Sequence, residues 1–104
     1  TMLLHTDNTV GYYDLHGKQV PSWKGITADE TIKSLPEFME GNGKKYWVVR
    51  TSAQSMVFPF SGGEPLIKGE GNKMIRPDSK IEITDKGFSA VCYDGKERTF
   101  KPGK

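Results

Sequence analysis

Two histidines, one cysteine, thirteen acidic side chains and an arginine at the end of an apolar run are the groups in this sequence with the chemistry to act on something. His5 stands beside the apolar run Met2-Leu-Leu4, and His16 lies in a turn. A metal site there would also draw on Asp7 or Asp14, but no recognisable ligand spacing relates them, and surface histidines are expected. Cys92 alternates with Val91 and Tyr93 and reads as a buried structural thiol. Standing alone, it can form no intrachain disulfide and no cysteine-based metal centre, and it leaves the compartment open. A Ser-His-Asp device needs a nucleophile elbow, which is absent. Gly62-Gly63 and Gly69-Glu-Gly71 lack the lysine and Ser/Thr order of a phosphate loop and read as turns. Glycoside hydrolysis needs two converging carboxylates. Glu37, Glu40, Glu64, Glu70 and Asp78 fall mostly in loops, and nothing selects a pair. No enzymatic activity, cofactor or metal site is expected.

Binding remains. Tyr12, Tyr13, Trp23, Tyr46 and Trp47 would suit a stacking platform for sugars or bases if they lay open, or a core if they did not. Arg50 ends an apolar strand on the face of Tyr46 and Val48, placed either to pair with a buried carboxylate or to aim at a ligand. Trp23, Tyr46, Trp47 and Arg50 are therefore the candidate ligand- or partner-binding residues. Fifteen basic against thirteen acidic residues leave a net charge of +2. Lys44-Lys45, Lys96 to Arg98 and Lys101 with Lys104 are short, interrupted clusters, whereas nucleic-acid binders concentrate charge on one face. No nucleic-acid partner is expected. No apolar run approaches the roughly 20 residues of a membrane span, and no signal peptide is visible. The chain opens on Thr1 rather than Met, which leaves room for an upstream leader or region that has been removed.

The elements that must position these residues are strands. Glycine and proline are abundant, apolar residues make up 35%, and the aromatics supply much of the buriable area. Tyr46 to Thr51 is rich in β-branched and aromatic residues, and Met56 to Phe60 returns from it after the turn at Ser52 to Ser55. Along the first strand Tyr46, Val48 and Arg50 face one way, and Trp47, Val49 and Thr51 the other. Both faces are apolar, so Trp47 and Val49 are expected against one neighbour and Tyr46 and Val48 against another. Asp14 to Gly17 reads as a hairpin turn, with Asp14 accepting a backbone N–H and Gly17 at positive φ. Pro21 cannot donate to a ladder, so the return strand from Lys18 is an edge or ends there. Glu40 to Gly43 is a turn, and Asp94-Gly95 a strong hairpin signal. Asp7-Asn8 is a further turn, and Lys101 to Lys104 a frayed end. Further strands are expected at Glu64 to Lys68, Lys73 to Arg76, Lys80 to Thr84, Phe88 to Tyr93 and Lys96 to Phe100, while Glu37 to Glu40 is mixed. Thr27 to Leu35 admits two readings. One is a short helix capped by Thr27 with Glu30 at the capping-box position; the other is a loop carrying Ile32 inward, since Pro36 disfavours helix before it.

The chain also lies upon itself. Gly25 and Gly69, Ile32 and Ile75, and Tyr46 and Phe88 stand 44, 43 and 42 residues apart. A period of about 40–45 residues carrying four short strands is the blade unit of a β-propeller. One blade has two apolar faces and cannot cover both alone. The motif aromatic-Asp-x-x-Gly-Lys, seen as Tyr13-Asp-Leu-His-Gly-Lys18 and shortened as Tyr93-Asp-Gly-Lys96, resembles the turn motif of WD40-like and PQQ-like propeller repeats. That resemblance spans roughly Val10 to Phe100 and implies four-stranded blades serving as a binding scaffold. The Trp-Asp dipeptide and the Gly-His pair of true WD40 repeats are absent.

The expectation is one all-β domain over 1–104, built of antiparallel hairpins and four-stranded sheets, with two blade-like repeats at about 10–55 and 56–100. A small β-sandwich or barrel is the alternative. Closed propellers typically need at least four blades and this chain holds a little over two, so either it is a piece of a longer protein or copies associate to complete a ring, and uncovered blade faces would need partners. A non-enzymatic β-repeat module mediating protein interaction or assembly is the functional expectation. A small all-β carbohydrate- or peptide-binding domain, with Trp23 or Trp47 open to solvent, is its rival.

Overall fold

A computed structural model describes residues 2–4 and 8–101. His5, Asp7 of the expected Asp7-Asn8 turn, and residues 102–104 of the end expected to fray lie outside the described residues. Turn residues every few positions cut the chain into short segments, and alternation within the segments makes them strands rather than helices. The result is all-β, in three small antiparallel sheets that are not closed. Sheet 1 is ordered β1 (Met2–Leu4), β2 (Thr9–Tyr12), β3 (Ile26–Thr27); sheet 2 is β4 (Glu37–Gly41), β5 (Lys44–Arg50), β6 (Ser55–Pro59); sheet 3 is β7 (Ile81–Thr84), β8 (Gly87–Val91), β9 (Glu97–Phe100).

Each sheet has three strands where four were expected. The segments that would supply a fourth make single bridges instead: Ile67 against Val57, and Ile75 against both Ser55 and Cys92. Pro65 lacks the N–H a ladder needs, and Ser61-Gly-Gly63 before it turns sharply, so pairing shrinks to Leu66 and Ile67 donating to the Val57 carbonyl and the Val57 N–H donating to the Ile67 carbonyl. Pro21 does the same in sheet 1, where Lys18 to Trp23 pairs only through Tyr13 opposite Gln19. The mixed segment at Glu37 is a full strand, closed onto β5 by a two-residue turn with Asn42 and Gly43 both at positive φ.

The short helix at Thr27 does not form. Thr27 ends β3, and Ile32 turns inward to bridge Thr51. The cause lies some twenty residues upstream. The Asn8 side chain donates to the carbonyls of Ala28 (2.9 Å) and Glu30 (2.6 Å) and accepts from the N–H of Ile32 (2.8 Å), satisfying backbone groups that helical bonds would otherwise take up.

Two cores result. Val10, Trp23, Ile26 and Ile32 pack on Trp47, Val49, Met56 and Phe58 between sheets 1 and 2. Tyr46, Val48, Val57, Ile67 and Ile75 pack on Phe88, Ala90 and Cys92 between sheets 2 and 3. Sheet 2 is thus covered on both faces, with Trp47 and Val49 on one neighbour and Tyr46 and Val48 on the other, as the alternation requires. The outermost faces differ. Sheet 3 turns Glu82, Ser89 and Thr99, which lie side by side in register, away from sheet 2. In sheet 1 Leu3 alternates with the core residue Met2 and stands exposed.

Candidate functional site

The four candidate residues do not form one site. Trp23 and Trp47 are 6% and 7% exposed, and both indole N–H groups are satisfied by backbone: Trp23 donates to Val10 (3.0 Å) and Trp47 to Phe60 (2.9 Å). Buried indoles offer no free face, so the aromatic platform expected of a sugar-binding domain is not built from them. Tyr46 is buried with its ring edge-on to Phe88 at 4.9 Å. Arg50 does pair with a carboxylate, but an exposed one. Its Nε meets Glu37 Oε2 at 3.0 Å, and its Nη1 donates to Ser55 Oγ (2.7 Å) and to the Ser79 carbonyl. Ser55 Oγ in turn donates to the Arg76 carbonyl (2.9 Å). Arg50 is a fastener between sheet 2 and the segment leading into β7, with its donors spent on the protein itself.

The turn motif behaves as its residues dictate. Asp14 Oδ1 accepts the N–H groups of His16 (2.8 Å) and Lys18 (3.0 Å), and Gly17 takes φ 79°. In the shortened copy Asp94 Oδ1 accepts the Lys96 N–H (3.0 Å), and its Oδ2 meets the Arg98 guanidinium. The Arg98 hydrogen bond, aided by the Lys96 N–H, holds the Asp94 carboxyl below the usual carboxylate range, and Asp94 raises Arg98 in return. Cys92 is buried, with its thiol 3.3 Å from the Lys73 carbonyl. Burial pushes that thiol up, partly offset by the nearby Arg98 charge, which suits a structural thiol rather than a nucleophile.

What the sequence did not single out is an aromatic wall at one end of sheets 1 and 2. Trp47 stacks on Phe60 (5.4 Å, 10°), and Tyr12 meets Trp47 and Phe60 edge-on at 6.0 and 6.3 Å. Phe38 closes the set against Trp47 at 5.6 Å and Phe60 at 6.1 Å. Buried at its Trp47 end, the wall opens outward, with Phe38 half exposed. Beside it an apolar groove of about 440 Å³ is lined by Tyr46, Pro59, Phe60 and Leu66, with Gly43, Lys44 and Lys45 at its rim. The wall draws on β2, β4, β5 and the end of β6, so only the strand pairing assembles it. The residues of wall and groove can grip an apolar group. Among the described residues no helix is long and apolar enough to cross a membrane, and no His, Cys, Asp or Glu cluster could hold a metal ion.

Comparison of the chain with family models, with curated proteins and with solved structures finds no match.

Proposed function

We propose that this chain is a non-enzymatic run of β-propeller-like repeats that mediates protein interaction or assembly. The linkage between sheets supports a repeat. Val10 pairs with Ile26 as Val57 pairs with Ile67, and Ile32 bridges Thr51 as Ile75 bridges Cys92. Trp47 faces sheet 1 as Phe88 faces sheet 2, so Phe88 corresponds to Trp47 rather than to Tyr46, one residue off the sequence alignment. On this reading the isolated bridges of Ile67 and Ile75 are vestiges of a fourth strand.

One observation carries the interaction reading. Ile83 lies opposite Phe88 and Phe38 opposite Trp47, so the two occupy the same station in successive sheets. Ile83 is covered by Gly41 of β4, so closely that a Cβ on that glycine would sit 2.8 Å from Ile83 Cγ2. Phe38 has no such cover and is 50% exposed. A half-exposed aromatic at the outward edge of an apolar wall marks an interaction surface.

Solution mass across a range of concentrations tests this. The expected result is a mass above the monomer that rises with concentration and returns to the monomer in Phe38→Asp. A compact monomer at every concentration would overturn the assembly reading.

A further inference from the structure

We propose that the groove formed by Tyr46, Pro59, Phe60 and Leu66 docks an acidic peptide segment through one bulky apolar anchor residue. Its volume, about 440 Å³, sits toward the low end of the roughly 300–1,000 Å³ typical of ligand sites and fits one large side chain with its adjoining backbone. The floor is held before anything binds. Phe88 fixes the Tyr46 ring from the core side, Trp47 fixes Phe60 by stacking, and Pro59 is paired with Tyr46 in the ladder. A floor already ordered loses little entropy on binding.

The rim selects the charge of the occupant. Lys44 and Lys45 are exposed, successive on β5, and both line the groove. Neither forms an ion pair with a described residue, and no acidic residue lines the groove. Glu40 is the cross-strand partner of Lys45 in register, yet it makes no ion pair with it. Instead Lys45 Nζ sits 5.4 Å over the Phe60 ring. Two lysines without an ion-pair partner among the described residues, beside an apolar slot, fit a leucine, isoleucine or phenylalanine with carboxylates next to it in sequence. A nucleic acid fits less well: Phe60 is already stacked on Trp47 and capped by Lys45, and two lysines do not track a phosphate backbone.

The probe is a short synthetic peptide with a central leucine between glutamates, titrated into the isotope-labelled chain and followed by amide chemical shifts. Saturable shifts centred on Lys44, Tyr46, Phe60 and Leu66 are expected. Affinity should fall roughly tenfold or more in Lys44→Glu/Lys45→Glu, and weaken on adding salt. Both lysines are exposed, and an unchanged melting temperature would confirm that the double variant folds. Equal binding of a peptide with alanine at the centre, of one with lysines for glutamates, or of an oligothymidylate would overturn the proposal. So would shifts confined to other surfaces, or none. Amide shifts read peptide binding and solution mass reads assembly, so a chain that binds the peptide but stays monomeric fails only the assembly reading, and one that assembles but shows no such shifts fails only this proposal.

Discussion

The indole of Trp47 lies flat on the ring of Phe60 and donates its N–H to the backbone carbonyl of that same residue at 2.9 Å. One side chain thus holds both the ring and the main chain where β6 ends. It does so from the centre of the aromatic wall, so the outward edge of the wall inherits its position from a partly buried hydrogen bond.

Trp47→Phe keeps most of the apolar area and removes the donor. Leaving the Phe60 carbonyl without it should destabilise the fold by about 1–3 kcal/mol. Trp47→Ala, which also opens a cavity, should cost about 3–5 kcal/mol. Urea unfolding with an unchanged slope would measure both; a Trp47→Phe midpoint equal to that of the parent would show that the bond contributes nothing.

Asn8 sits at φ 67°, so Asn8→Gly removes its side chain without straining the backbone. The carbonyls of Ala28 and Glu30 and the N–H of Ile32 then lose their partner. A loss of about 2 kcal/mol or more is expected, with hydrogen exchange at Ile32 accelerated well beyond that at Val57. Uniform acceleration across both sites would mean that Asn8 acts on global stability and not on the 28–32 loop.

Asp94 makes acid stability testable. Its folded-state carboxyl lies below the ordinary range because Arg98 and the Lys96 N–H bind the ionised form. On acidification the unfolded chain therefore takes up the proton first. The stabilisation is present above about pH 4 and is lost as the pH falls through the folded value. Asp94→Asn should lower the melting temperature at neutral pH and converge with the parent in stronger acid. A difference that stayed constant with pH would assign the effect to packing.

The two-faced centre of the fold was legible because strand alternation needs only neighbouring residues: Tyr46 to Thr51 shows both of its faces in six letters. The turns at Asp14 and Asp94 were legible for the same reason. The segment from Thr27 to Leu35 was not, because its own residues permit a helix and the choice is made by Asn8, remote in sequence. The strand at Glu37 to Gly41 was obscured by carrying Phe38 on one face and Met39 on the other, between glutamates. Arg50 was expected to meet a buried carboxylate or a ligand; its partner Glu37 is an exposed carboxylate that comes within reach only because β4 pairs with β5. The groove escaped notice because Tyr46, Pro59 and Leu66 meet only through pairing and turning, and because two adjacent lysines resemble any solvated strand end.

The outer face of sheet 3 is polar and that of sheet 1 carries exposed Leu3, so the two are ill-matched. A head-to-tail contact would need the Glu82, Ser89 and Thr99 surface to meet the Leu3 surface of a second copy, and such a contact would repeat without closing and grow into fibres. On the proposed assembly reading, copies meeting through the Phe38 wall would instead present like to like, an encounter that is self-complementary and stops at two.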